Sequence, residues 1–175
     1  EACGYTVFVF GDNGGQNSRE KLGGKGTFLD SGLVVPLWVT GPGVLPGEDG
    51  ALLSMVDFYA TVADLFDIER TVETQGPDSL SFAGSLEGRP TTRWYAYSEI
   101  FDKLGEDPRD RADIQWQRAV RSKRYKLFQN RGAGFYTFVD LEADPEERNN
   151  LLDSLPLRGD AKAAYEALLE VMNRI

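Results

Sequence analysis

The chain has 175 residues and a formal net charge of −9 at pH 7, from 19 basic and 28 acidic side chains. That acidity disfavours binding to nucleic acid and attachment through a polybasic membrane patch, and no apolar run approaches the ~18–20 residues needed to span a bilayer. There is no histidine and one cysteine, Cys3, so this chain alone cannot build a Ser-His-Asp triad, a Cys-His pair, a histidine-bearing zinc site or an internal disulfide.

With 41% hydrophobic and 27% charged residues, the composition is that of an ordinary folded domain, or one domain with a small appendage. The opening stretch EACGYTVFVFGDNGG has no basic flank and no long apolar segment, and it is not read as a secretory signal. Its YTVFVF run (Tyr5–Phe10) predicts a buried strand that stops at Gly11. From Gly11 to Gly26 the chain is polar and holds six glycines, which predicts a long functional loop. LVVPLWV (Leu33–Val39) predicts a second strand, with Pro36 at an edge, a bulge or a strand start because it lacks an N–H. TGPGVLPGEDG is a turn-rich exit.

Ser54–Asp67 is the clearest helix. Met55, Phe58, Tyr59, Val62, Leu65 and Phe66 recur at helical spacing and predict one core-facing stripe, and Ser54 with Asp57 fits a capping-box variant. Residues 69–92 read as a connection, with one short apolar turn at Ser79–Leu86. Four strands are then expected at Arg93–Ile100, Gln117–Ser122, Arg124–Asn130 and Phe135–Leu141. A tight hairpin at Ser122-Lys123 and another at RGAG join the last three, which predicts an antiparallel meander. A helix from about Asp160 to Ile175 closes the chain, with Ala161, Tyr165, Leu168, Met172 and Ile175 on one face. The fold class is thus α/β passing to α+β: residues 1–92 form the edge of an α/β sheet, and 93–175 a small antiparallel sheet with a packing C-terminal helix.

Three motifs offer chemistry. Asp12 and Asn13 follow a strand directly, and a carboxylate beside an amide oxygen suits a hard cation such as Ca²⁺ or Mg²⁺; Asn-Gly is equally a common turn dipeptide. Lys25 sits between glycines, which let an oxyanion approach the backbone while the lysine supplies a point charge; a surface lysine in a loop is the alternative. Arg124 and Lys126 alternate along a strand and read either as anion contacts or as solvated charge opposite Tyr125 and Leu127. The acid-rich DLEADPEERNNL (Asp140–Leu151) does not match an EF-hand and reads as a solvated turn whose acids favour a helix start.

Taken in order, the strand ending in DNGG, then GGKGTFLDSGLVVPLWVTGPGV, LLSMVDFYATVADLFDI, GPDSLSFAGSLEG, RWYAYSE, QRAVRSKRYKLF and VDLEADPEERNNL resemble the sulfatase family of the alkaline phosphatase superfamily. The likeness covers the C-terminal part of a sulfatase. It implies that Asp12 and Asn13 bind the active-site cation, usually Ca²⁺, and that Lys25 contacts the substrate sulfate. It also implies that the terminal subdomain helps shape the substrate pocket. The family's Cys/Ser-x-Pro-x-Arg motif, whose Cys or Ser becomes the formylglycine nucleophile, is absent here, and Cys3 is followed by GYTV. The family's other metal-binding acids and histidines also come from its N-terminal part. Within the match, Asp30 and Ser31 stand for the usual Glu and Gly, and Val34 stands where Arg is usual.

The resemblance implies a sulfuric ester hydrolase that needs its N-terminal half to complete the sulfate ester site. This chain alone is expected to be inactive, with weak Ca²⁺ binding or none. One alternative is a non-catalytic module that self-associates through Tyr5–Phe10 and Leu33–Val39, since an incomplete sheet exposes apolar surface. Another is a phosphate or phosphonate ester hydrolase, because Asp12, Asn13 and Lys25 do not distinguish tetrahedral oxyanions. Localisation is left undetermined.

Overall fold

A computed structural model describes residues 4–15, 24–71, 76, 78–103, 115–130 and 135–175. Cys3 and the RGAG turn lie outside these. The chain divides into two compact units that do not follow a single cut: one comprises 1–11 and 36–96, the other 12–35 and 97–175. A cut near residue 92 misses that the loop after the first strand belongs to the second unit.

In the first unit, β1 (Val7–Phe10) pairs antiparallel with β2 (Leu37–Thr40), Val9 opposite Trp38 and Phe10 opposite Leu37. Pro36 stands immediately before β2, where its missing N–H removes no ladder bond. Its carbonyl accepts from Gly11 N–H at 3.3 Å. The expectation of a buried first strand is corrected. Phe8 and Phe10 pack on Phe58, with ring centroids 5.4 and 4.8 Å away. Val7, Val9 and their cross-strand neighbour Trp38, on the other face, are exposed, Trp38 at 64%. A two-stranded sheet has two faces, and the packed elements cover one.

The predicted central helix is α2, Asp57–Leu65, and its buried face is also corrected. Asp57, Ala60, Thr61 and Ala63 are buried, whereas Met55, Tyr59, Val62, Leu65 and Phe66 are exposed, Phe66 at 73%. Hydrogen bonds decide the orientation. Asp57, 1% exposed, accepts from Ser54 N–H at 2.8 Å and Leu80 N–H at 2.9 Å, and is bidentate with Arg93, whose Nε lies 2.7 Å from Oδ2. The Ser54–Asp57 half of a capping box is therefore present. Thr61 donates to the Asp57 carbonyl at 2.7 Å and accepts from Phe82 N–H at 3.0 Å. Ser79 donates to the Val56 carbonyl at 2.6 Å and accepts from Ala60 N–H at 3.0 Å. A buried carboxylate without its guanidinium and amide partners would cost several kcal/mol, so the polar stripe of α2 turns inward against residues 78–82. The short α3 (Ala83–Leu86) follows, and Phe82, 2% exposed, meets Phe58 edge-on at 5.4 Å.

The second unit opens with α1 (Asp30–Leu33), a single turn where the sequence had suggested the start of a strand. The four expected strands are present as β3 (Ala96–Lys103), β4 (Gln115–Arg121), β5 (Tyr125–Asn130) and β6 (Phe135–Asp140), in the order β3-β4-β5-β6. Pairing is antiparallel, Val120 opposite Leu127 and Leu127 opposite Phe138. The first hairpin centres one residue later than expected, on Lys123-Arg124, because Ser122 N–H donates to the Tyr125 carbonyl at 2.8 Å. Helix α4 (Gly159–Arg174) packs on β4 and β5 through Leu168, Val171 and Met172. Tyr165 of α4 meets Phe138 edge-on at 5.4 Å, and Phe138 stacks on Tyr125. Ile175, expected on the packed face, is exposed beyond the helix end. Among the described residues no helix is long and apolar enough to cross a membrane.

Phe82→Ala, which empties the centre of the aromatic cluster, is expected to destabilise the first unit by roughly 3–5 kcal/mol. Urea unfolding followed by tryptophan fluorescence measures it.

Candidate metal and oxyanion site

The segment that carries the sequence-derived site residues is shaped by glycines. Leaving β1, the chain places Asp12 on the surface, with its Oδ1 accepting from Asn13 N–H at 2.9 Å. Asn13 donates Nδ2–H to the Gly14 carbonyl at 2.9 Å, which orients its amide and leaves Oδ1 as the donor atom for a cation. Gly14 N–H donates to the Gly32 carbonyl at 3.0 Å, and Lys25 N–H donates to the Gly15 carbonyl at 2.8 Å. These two bonds lash the DNGG strand exit to the GKGT loop, so Asp12, Asn13 and Lys25 share one local structure, with Lys25 exposed.

The close approach requires glycine. A Cβ on Gly14 would lie 1.9 Å from the Ser31 carbonyl oxygen, and one on Gly32 would lie 2.3 Å from that of Gly24. Gly24 and Gly26 adopt φ of +118° and +83°, values that side chains beyond glycine rarely tolerate. Thr27 closes the turn by donating Oγ1–H to the Gly24 carbonyl at 2.8 Å. The Asn-Gly dipeptide is thus more than a turn signal, because its glycine is where two backbones touch.

Oxygen is the only donor chemistry offered. The Asp12 carboxylate and the Asn13 amide oxygen suit a hard divalent cation, but they fall short of the ~6–8 ligands that Ca²⁺ takes. No group of three or more His, Cys, Asp or Glu side chains that could hold a metal occurs among the described residues. The pair therefore fits a share of a cation site and not a whole one.

The second finding was not anticipated. Lys126, read from the sequence as solvated charge or an anion contact, has a fully buried side chain. Its Nζ lies 2.6 Å from Asp30 Oδ1 and 2.7 Å from Glu147 Oε2, the Glu147 side chain being 2% exposed. Asp30 Oδ2 is 3.2 Å from Arg121 Nη1, and Asp30 N–H donates to Glu147 Oε1. Lys126 also lies 5.1 Å from the centre of the Phe128 ring. Because Arg121 and Lys126 are directly opposed across β4 and β5, their like charges would repel, and Asp30 sits between them with one oxygen on each. The acid-rich loop is corrected accordingly. Glu147 is a buried partner, while Asn150 caps the 3₁₀ turn Leu151–Ser154 by accepting from Leu152 N–H and also accepts from Phe138 N–H at 3.0 Å.

Arg124 does not share the environment of Lys126. It lies in the hairpin turn, half-exposed, and grips Asp140 with Nε at 3.0 Å from Oδ1 and Nη2 at 2.7 Å from Oδ2. That bond, with help from the Ala143 and Glu142 amides against the opposing effect of burial, holds the Asp140 carboxyl below the usual carboxylate range. Burial pushes the Tyr97 hydroxyl up to about 12, reinforced by its 2.8 Å hydrogen bond to Glu99.

No protein-family model and no curated protein matches the chain. Solved structures do. A protein assigned to the sulfatases from Bacteroides thetaiotaomicron VPI-5482 superposes with a TM-score of 0.73 at 25% identity, over 94% of this chain and 35% of its own. A 2-O GAG sulfatase gives a TM-score of 0.70 at 24% identity, over 95% and 35%. Its fold is that of the C-terminal portion of a sulfatase. A phosphonate monoester hydrolase from Silicibacter pomeroyi gives 0.59 at 22% identity, over 86% and 30%. The chain spans about a third of the length of these structures. In this sulfatase-type portion, Asp30 has a use that chain order did not reveal, and Val34, at the position where the resemblance led one to expect Arg, is exposed.

A group whose folded-state pKa is lowered contributes stability above its unfolded pKa and loses it as pH falls through the folded value. Asp140→Asn is therefore expected to lower the urea midpoint at pH 7 and to have a smaller effect at pH 2, below the usual carboxylate range. Paired unfolding curves at those two pH values test this.

Proposed function

We propose that this chain is the C-terminal portion of a hydrolase of sulfuric esters, in which Asp12 and Asn13 supply part of a divalent-cation site and Lys25 binds the sulfate. The observation that carries the reading is the backbone lashing of Gly14 to Gly32 and of Gly15 to Lys25. It puts a hard-cation donor pair and a glycine-flanked cation on one loop system, in a fold of sulfatase type. Lys25 presents up to three N–H donors and a compact charge to a tetrahedral oxyanion. That charge counts most where negative charge grows as the ester bond breaks. A cation such as Ca²⁺, when bound, would act as a Lewis acid on the sulfate oxygens. Asp12 and Asn13 would hold their share of it, and the remaining ligands and the nucleophile would come from outside residues 1–175. On this reading the chain alone turns over no ester.

The exposed apolar faces support a portion of a larger body. Val7, Val9 and Trp38 on the sheet, Val62 and Leu65 on α2, and Met55 and Phe66 just outside its two ends are exposed in the first unit. Exposed apolar faces of this kind mark an interface. The same faces are what favours the second reading, a self-associating module without catalysis. A phosphonate or phosphate ester is a third, supported by the likeness to the phosphonate monoester hydrolase fold.

The deciding experiment reads the source DNA upstream of the Glu1 codon. An open frame reaching a Cys/Ser-x-Pro-x-Arg motif supports the hydrolase, and a start codon directly before Glu1 sinks it in favour of the module. In the protein encoded by such a frame, Lys25→Ala is expected to lower kcat/KM for an aryl sulfate by about 10²–10³-fold. A comparable loss with an aryl phosphonate ester, and higher turnover of that substrate, would favour the third reading.

A further inference from the structure

Lys126 is far from the loop residues in sequence, yet one of its two ion pairs ends on Asp30, at the end of that loop. Asp30 follows Lys25 by five residues and begins α1, the turn that contains Gly32. Gly32 receives the Gly14 amide, next to Asn13. We infer that Lys126 is a positioning residue: through Asp30 it fixes the loop carrying Asp12, Asn13 and Lys25 to the antiparallel sheet. This rests on the sulfatase-type reading of those three residues.

Several features argue for a tether built for position. Asp30 is held at both carboxylate oxygens, by Lys126 and by Arg121, and at its backbone amide by Glu147. Three restraints on one residue define its place and its orientation, whereas one ion pair would define neither. Glu147, which is not glycine, takes a left-handed backbone with φ of +57°. A residue held in that region is strained and persists only when its surroundings over-determine it. Here Glu147 Oε1 accepts from the Asp30 amide, while the buried Oε2 makes no hydrogen bond among the described residues and faces the Lys126 ammonium as an ion pair. Lys126 lies on the strand face opposite that of Tyr125, Leu127 and Phe138, which α4 covers, and its cross-strand neighbour there is the buried Val139. An apolar residue at 126 would serve a purely structural purpose as well, since replacing a buried ion cluster by apolar side chains is often neutral or stabilising.

The test is amide hydrogen exchange on the 175-residue chain and on Asp30→Asn. This variant leaves Lys126 paired with Glu147, so the sheet keeps a compensated charge while the loop loses its anchor. Exchange at the Gly14 and Lys25 amides is expected to accelerate by about tenfold or more, with β5 amides changing less than about twofold. Asp30→Glu, which keeps a carboxylate within reach of Lys126, should restore most of the protection. Unchanged exchange at Gly14 and Lys25, or no protection there in the parent chain, overturns the inference. Equal acceleration in β5 also overturns it, because the cluster would then be a general staple of the fold. The readout involves no turnover, so it can fail while the upstream reading frame upholds the hydrolase, and the reverse.

Discussion

The arrangement of the second unit depends on a lysine ammonium removed from water. Burying a charge costs several kcal/mol unless it is paired and hydrogen-bonded. Lys126 meets that condition by a hydrogen bond to the Asp30 carboxylate, before the sheet, and an ion pair with that of Glu147, after it. A strand, the loop leading from residue 24 to α1, and the acid-rich loop after β6 are joined at one atom. Arg121 extends the join to β4 and makes Asp30 the anion between two facing cations.

The first unit solves a related problem with the same materials. There the buried carboxylate is Asp57 and its cation Arg93, and the joined segments are the start of α2, residues 78–82 and the approach to β3. An acid in the first helical turn is also favoured by the helix dipole. In both units irregular chain is tied by charge-assisted hydrogen bonds, which specify direction, while apolar side chains supply area. Turning the polar stripe of α2 inward leaves its apolar stripe outward. A helix this size can commit only one side to its own unit, and the other side stays exposed.

Function follows from how loops are held. Asp12 and Lys25 are exposed and Asn13 is half-buried. What distinguishes them is a backbone contact between Gly14 and Gly32 too close for any side chain, and a second bond between Gly15 and Lys25. Glycine supplies the closeness and the ion cluster supplies the anchorage. Together they place the Asp12 and Asn13 side chains and the Lys25 charge on one support, and the proposed ester hydrolase would draw on all three.

The order of residues is enough to find the strands, the terminal helix, the antiparallel meander and the run of motifs that points to a sulfatase-type C-terminal portion. Those features are local: period-2 and period-3.6 patterns, turn residues and glycine spacing act over a few residues. It also singled out Asp12, Asn13 and Lys25 as candidates, since their neighbours in the chain carry the signal. Only the tertiary structure decided which side of α2 is buried, because Asp57 turns inward for Arg93, thirty-six residues away. It alone showed that Leu33–Val35 is not strand, and that the loop of 12–35 belongs with the sheet of 97–175. It alone distinguished Lys126 from Arg124. Both are cations beside Tyr125 and read alike in a period-2 pattern. Which one is solvated and which is buried depends on Asp30 and Glu147, 96 residues before Lys126 and 21 after it, and no local rule can see a partner at that distance.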